Sequence, residues 1–279
     1  MEEKEITLEE RMLKYRSDTD YKLDKDLPVV VMIDGKNFSR VIKKRFVLPF
    51  DEDFINIMDQ TAEYVCKNVP GCKFAFVQSD EISFFIDSRN TIDAPFFNFR
   101  LCKLLSVIPS IATSMFNKLI GVLDIEKELK NDKYNIDHDT LVSLLPQFQF
   151  DCKAWNVPTE NDVIAWFLYR QLDCVRNSKL QAAQTYLTYK ELVNKNCDEQ
   201  VELLKQSTGI DWNDYSESKK FGRFIWKETE PFYNESLDVH YNRSVWKSHP
   251  AWELYKEEGR EKLINLLFQP KEEVDDKNN

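Results

Sequence analysis

Two short acidic turns, each set where an apolar β-strand run ends, restrict this chain more than any other feature. The first closes Leu27-Pro28-Val29-Val30-Val31-Met32-Ile33 and reads Asp34-Gly35-Lys36-Asn37-Phe38. The second, Gln78-Ser79-Asp80-Glu81, joins the run at 74–77 to the run at 82–86. Both flanks are β-branched and aromatic, the composition of buried strands. Neighbouring strands lie about 5 Å apart. If these two are neighbours, Asp34 and Asp80 can share a divalent cation, since hard cations take carboxylate oxygens plus substrate phosphates. Taken singly, each turn is ordinary, because Asp caps its own backbone and Gly tolerates positive φ. Together, with Gly35-Lys36-Asn37 able to approach an anion, the metal reading competes with the structural one.

The remaining pattern supplies the frame. Residues 6–16 read as a short helix with Thr7 as cap and Glu10 three residues later. A helix over 51–68 carries Ile55, Met58, Ala62 and Val65 at helical spacing and stops at Val69-Pro70-Gly71. A third helix over 94–117 has Phe97, Leu101, Leu104, Leu105 and Ile108 on one side, Arg100 and Lys103 on another, and a kink or break at Pro109. Residues 147–157 read as a fourth strand, 159–189 as a long helix, 198–206 as a short one and 221–227 as a strand. Segment 121–146 carries no clear period, and the aromatic stretch 233–255 reads as packing. Strand, helix, hairpin, helix, strand is the α+β, ferredoxin-like β-α-β-β-α-β order, with helices added after it. The expected division is a catalytic region over 1–158 and a helical C-terminal region over 159–279 packed on it.

Composition excludes some classes. Of 279 residues 42% are hydrophobic, which suits a globular chain, and no run of about 20 apolar residues stands out for a membrane helix. The net charge of −10 argues against a general nucleic-acid coat, although Arg40, Lys43, Lys44 and Arg45 cluster beside the first turn. Six cysteines without a C-x-x-C pair and an acidic start without a signal core point to reduced thiols and a cytoplasmic location, with an organellar one as the open alternative.

Several stretches in order resemble the tRNA-His guanylyltransferase superfamily: Ile33-Asp34-Gly35-Lys36-Asn37-Phe38, Pro49-Phe50-Asp51, Gln78-Ser79-Asp80-Glu81-Ile82-Ser83-Phe84, Phe150-Asp151-Cys152-Lys153 and Tyr169-Arg170-Gln171 through Arg176-Asn177-Ser178. The resemblance covers roughly residues 8–230. It implies a polymerase-palm sheet and 3′-to-5′ addition of nucleotides to the 5′ end of tRNA, after activation by ATP. It implies two Mg²⁺ ions on Asp34, the Gly35 carbonyl and Asp80, with Glu81 as a third catalytic acid. Gly35, Lys36, Asn37, Phe38, Ser39, Ser79, Arg100 and Lys103 would hold ATP, GTP or another nucleoside triphosphate. Lys153, Arg170, Arg176, Asn177 and Ser178 would meet tRNA, and the family's usual assembly is a homotetramer. Val175 to Ala182 lacks the H-I-N-N-L-Y-N-T stretch of the eukaryotic enzyme proper, so the chain is more similar to the guanylyltransferase-like branch that repairs 5′-truncated tRNA. Met32 stands where the family has Arg, Leu48 where it has Lys, and Lys153 where it has Arg, which removes two cations. The alternatives are addition of a single G at position −1, a nucleotide cyclase with the same palm, and a weakened tRNA-binding paralogue.

Overall fold

Side chains alternate across a strand, so Val29, Val31 and Ile33 face one side of β1 (Val29–Gly35) and Val30 the other. All four are fully buried, because both faces of the sheet are covered. The computed structural model describes residues 6–89, 94–130, 148–234, 236 and 238–269, without the side chains of 39–41, 44 and 125–130.

β1 leads into α2 (Phe38–Arg45) and α3 (Glu52–Asn68), then the hairpin β2 (Cys72–Gln78) and β3 (Glu81–Ile86). After α4 (Leu101–Lys130) comes β4 (Phe150–Asn156). The long helix α5 (Glu160–Tyr186) precedes α6 (Tyr189–Leu192), α7 (Cys197–Thr208) and α8 (Glu217–Phe221). A ribbon of β5 (Arg223–Asn234) and β6 (Val239–Pro250) and the helix α9 (Glu257–Phe268) complete the described chain, with α1 (Leu8–Ser17) before β1. The sheet order is β4-β1-β3-β2-β5-β6, and every described pairing is antiparallel. The first four strands follow the ferredoxin-like order expected from the sequence, and β5 and β6 lengthen the same sheet beyond β2.

One face packs under α3 and α4, through Met58, Ala62, Leu104, Ile108, Ala112 and Phe116. The other packs under α5, α7 and α9, through Val163, Phe167, Leu204 and Leu263 against Phe74, Phe85 and Phe224. The ends of α1 and α7 follow sequence rules: Thr7 and Glu10 form a capping box, and Gly209 closes α7 at φ +76°.

Several expectations change. Pro109 lies inside α4 and does not break it. Leu104, Ile108, Ala112, Phe116 and Ile120 form one fully buried stripe along that helix, and this packing outweighs the one hydrogen bond a proline removes. The stretch Leu101–Asp124 reaches a mean hydropathy of 1.3, long and apolar enough to cross a membrane by length and composition; here its stripe covers the sheet. Arg100 precedes α4 in an extended conformation, so it does not share a helix face with Lys103. The basic stretch after Asn37 is helical, the strand at 221–227 continues to Asn234, and much of the aromatic stretch is β6. Within it His249 stacks on Trp226 with ring centroids 3.9 Å apart. Most of segment 121–146, from 131 on, lies outside the described residues.

Candidate active site

Register brings the acids together. Asp34 stands opposite Glu81 on β3 and opposite Asp151 on β4. Directly opposed residues share a face. Alternation from Val30 places Asp34, Glu81 and Asp151 on the α5 side. Asp80 sits in the β2–β3 turn, after Ser79 at φ 46°, a left-handed conformation that costs a non-glycine residue some strain. The Gly35 N–H donates to the Asp80 carbonyl at 3.1 Å, so the two acidic turns are tied directly by backbone.

Gly35 has a second role. A Cβ there would lie 2.4 Å from the Phe38 ring, so only glycine lets that ring fold back. Phe38 is 1% exposed and packs against Phe116, Phe148 and Phe150. Its ring belongs to the core, leaving only its backbone for a nucleotide. The Lys36 N–H donates to the Gln149 carbonyl at 2.9 Å, so with Gly35 two donors of the expected phosphate turn are already used. Asn37 takes φ 60° at the start of α2, and the Ser39 side chain lies outside the described set.

Asp34, Ser79, Asp80 and Glu81 line a cleft of about 470 Å³, closed by the 47–51 loop, the start of α3, α5 and α8. Arg170, Asn177 and Ser178, expected to meet tRNA, line it too. Arg170 is committed to Glu81: Nε and one terminal nitrogen donate to its two oxygens at 2.8 and 2.5 Å, and each side chain is only 11% exposed. Gln78 donates to Glu81 at 3.0 Å, and Asp173 accepts from Arg170, Arg176 and Asn177. Ser178 is buried, donating to the Val175 carbonyl and accepting from Trp212 Nε1. Lys36, Asn37, Arg100, Lys103, Lys153 and Arg176 do not line the cleft. Arg100 pairs with Asp20 at 2.5 Å and Lys103 lies over the Phe97 ring. Both sit by Tyr21 and Leu23, on the loop that meets Asn156 at the other end of β4.

Charge explains what the cleft lacks. Burial, then Asp80, Glu81 and Asp151, pushes the Asp34 carboxyl up to about 6 from 3.8. Burial chiefly, with Glu81, raises Asp80, against its own N–H and the Ser79 hydroxyl. Among the described residues neither acid has an ion-pair partner, and no cluster of three or more His, Cys, Asp or Glu has metal-site geometry. Two carboxylates beside a backbone carbonyl, short of positive charge, still match the oxygen set from which Mg²⁺ takes one or two protein carboxylates. Asp173 belongs to the polar band of the long helix expected to meet substrate, whereas Asp151 and Arg223 lie in stretches that resemble the family but carry no expected site role. Asp151 is found only once β4 is known to flank β1, and Arg223 only once β5 is known to flank β2.

A family model described as tRNAHis guanylyltransferase (Thg1) matches residues 9–158. The tRNA(His) guanylyltransferase of Saccharomyces cerevisiae is 31% identical over 215 residues, 72% of this chain and 83% of that one. A bacterial tRNA(His) guanylyltransferase (Thg1)-like protein solved in complex with ATP superposes with a TM-score of 0.75 at 27% identity, covering 94% of this chain and all of that one. The yeast enzyme's crystal structure superposes with a TM-score of 0.58 at 27% identity, over 76% of this chain and 91% of that one. Palm-like sheet, paired acidic turns and these likenesses agree: the chain belongs to the tRNAHis guanylyltransferase family of nucleotidyltransferases.

Proposed function

We propose that the chain adds nucleotides, template-directed and in the 3′-to-5′ direction, to the 5′ end of truncated tRNA, after that end is activated with ATP. The observation that carries this reading is the backbone tie between the acidic turns, which holds Asp34 and Asp80 at the rim of one cleft. Asp34, Asp80 and the Gly35 carbonyl would hold two Mg²⁺ ions. The chemistry that Mg²⁺ supplies at such a site is activation of a hydroxyl nucleophile and neutralisation of charge on the leaving phosphate.

The chain's own groups do the rest. Arg170 neutralises Glu81 and fixes the β2–β3 turn that carries Asp80, so Glu81 orients the turn. Lys43 and Lys219 line the cleft and offer positive charge to substrate phosphates. The repair reading is supported by the closer superposition on the bacterial Thg1-like protein than on the yeast enzyme. The bacterial protein was solved with ATP and with GTP, which supports both as substrates here. A homotetramer is the assembly we assign by family likeness.

The test is incubation with Mg²⁺, a 5′-truncated tRNA and labelled nucleoside triphosphates. Repair gives extension that stops when the acceptor stem is fully paired. A product one G longer, on tRNA-His alone, supports the single-addition enzyme. A cyclic nucleotide product would point to the cyclase, and binding without extension to an inactive paralogue.

A further inference from the structure

Arg223 opens β5 directly after Gly222, which sits at φ +83° where a Cβ would meet the Phe76 ring at 2.5 Å. Its side chain is 7% exposed, yet it lines the same cleft as Asp34 and Asp80. A buried guanidinium needs a counter-charge. Asp59 of α3 supplies it: Arg223 Nε donates to one Asp59 oxygen at 2.8 Å. The other Asp59 oxygen accepts from the Ser248 hydroxyl at 2.7 Å. Asp59 is therefore shared, and the arginine is held by one nitrogen where a purely structural pair would use two. Among the described residues its hydrogen bond is that one, which leaves the two terminal nitrogens of a cleft-lining residue without a protein partner.

Position gives those nitrogens a use. Arg223 pairs with Val77 on β2, so the acidic turn that follows lies about 10 Å away along the sheet. An anion bridging the carboxylate end of the cleft and Arg223 would carry several linked or adjacent phosphates. Arginine suits the task, since its fork matches phosphate oxygens two at a time and its charge does not titrate away. Leu48, which stands where the family carries a lysine, lines this cleft too, so positive charge is absent from one wall and present on another.

We infer that Arg223, preset by Asp59 and Ser248, is a phosphate-binding residue of the cleft, taking either the polyphosphate of the nucleoside triphosphate or the terminal phosphate of the tRNA 5′ end. This rests on the proposed nucleotide-addition reading for its biological ligand, but the anion site can be measured without it. The probe is inorganic tripolyphosphate binding to the full chain in EDTA, followed by titration calorimetry. Arg223→Lys keeps the ion pair with Asp59 and loses the fork. It is expected to weaken tripolyphosphate binding about tenfold or more, the scale of one charge-assisted hydrogen bond. The double variant Asp59→Asn/Arg223→Gln, which leaves no orphan charge, should lose at least as much with its melting temperature preserved. Asp59→Asn alone should retain the affinity. A second arm compares truncated tRNA with and without its 5′-phosphate. If the tRNA end is the ligand, only the phosphorylated form is weakened by Arg223→Lys; if the triphosphate is, ATP is weakened and both RNAs are unchanged. Equal tripolyphosphate affinity in the wild type, Arg223→Lys and the double variant, or none in the wild type, overturns the inference. Tripolyphosphate binding that depends on Arg223 in a protein that extends no tRNA leaves it standing and removes the proposed function alone.

Discussion

Replacing Asp34 with asparagine should stabilise the metal-free protein while abolishing nucleotide addition. The Asp34 carboxyl is pushed up to about 6 from 3.8 by burial and by three neighbouring acids. That gap corresponds to about 3 kcal/mol, at 1.36 kcal/mol per tenfold change in proton affinity. The group is partly open to solvent, and screening reduces the figure to about 1–2 kcal/mol. The native state holds this proton more tightly than the unfolded chain does. The penalty is therefore absent below pH 3.8, grows as pH rises to about 6, and is complete above it. Asparagine keeps the shape and removes the charge. Urea unfolding in EDTA at pH 8 should show Asp34→Asn more stable by about 1–2 kcal/mol, or about 2–6 °C in melting temperature. Near pH 4 the two proteins should unfold together. Added Mg²⁺ should stabilise the wild type and leave the variant almost unmoved. A variant less stable than wild type in EDTA at pH 8 would refute the argument, because it would mean that an ion pair or hydrogen bond, not repulsion, dominates at Asp34.

Two further outcomes follow from packing. Arg170→Met strands Glu81 as a buried charge and should cost about 3–5 kcal/mol, while Glu81→Gln/Arg170→Met should recover part of it; urea titration of the single and double variants measures both. Phe38→Ala empties a site among Phe116, Phe148 and Phe150 and should cost about 3–5 kcal/mol in the same assay, and a loss below about 1 kcal/mol would show that the aromatic cluster closes over the gap.

Much of this fold was legible because β1, β2 and β3 are largely apolar and the helices carry their own punctuation. Thr7, Asp51, Thr159 and Gly209 mark helix ends in the sequence, and each serves as a cap in the structure. The misread places are those where distant packing overrides a local rule. Pro109 is carried through α4 by a stripe that only the sheet can bury, and Arg100 is drawn out of the helix by Asp20, eighty residues earlier. The outer part of β5 beyond Lys227 and the whole of β6 escaped because alternating charged and aromatic residues look alike in an exposed strand and in a loop. The two aspartates stood out by their setting, since a carboxylate at the end of an apolar strand is conspicuous. The partners around them did not, because Arg170 meets Glu81 across 89 positions and Asp59 meets Arg223 across 164.

The bond from the Gly35 amide to the Asp80 carbonyl has a mechanical consequence. Spacing between the acids is dictated by main chain and not by the fit of surrounding side chains, so drift elsewhere in the molecule reaches the catalytic rim only if β1 slides against β3. Proline at position 35 would delete that donor, and the β1–β3 ladder ending at Asp34 opposite Glu81 would be left to hold the two turns in register without the bond that locks their tips.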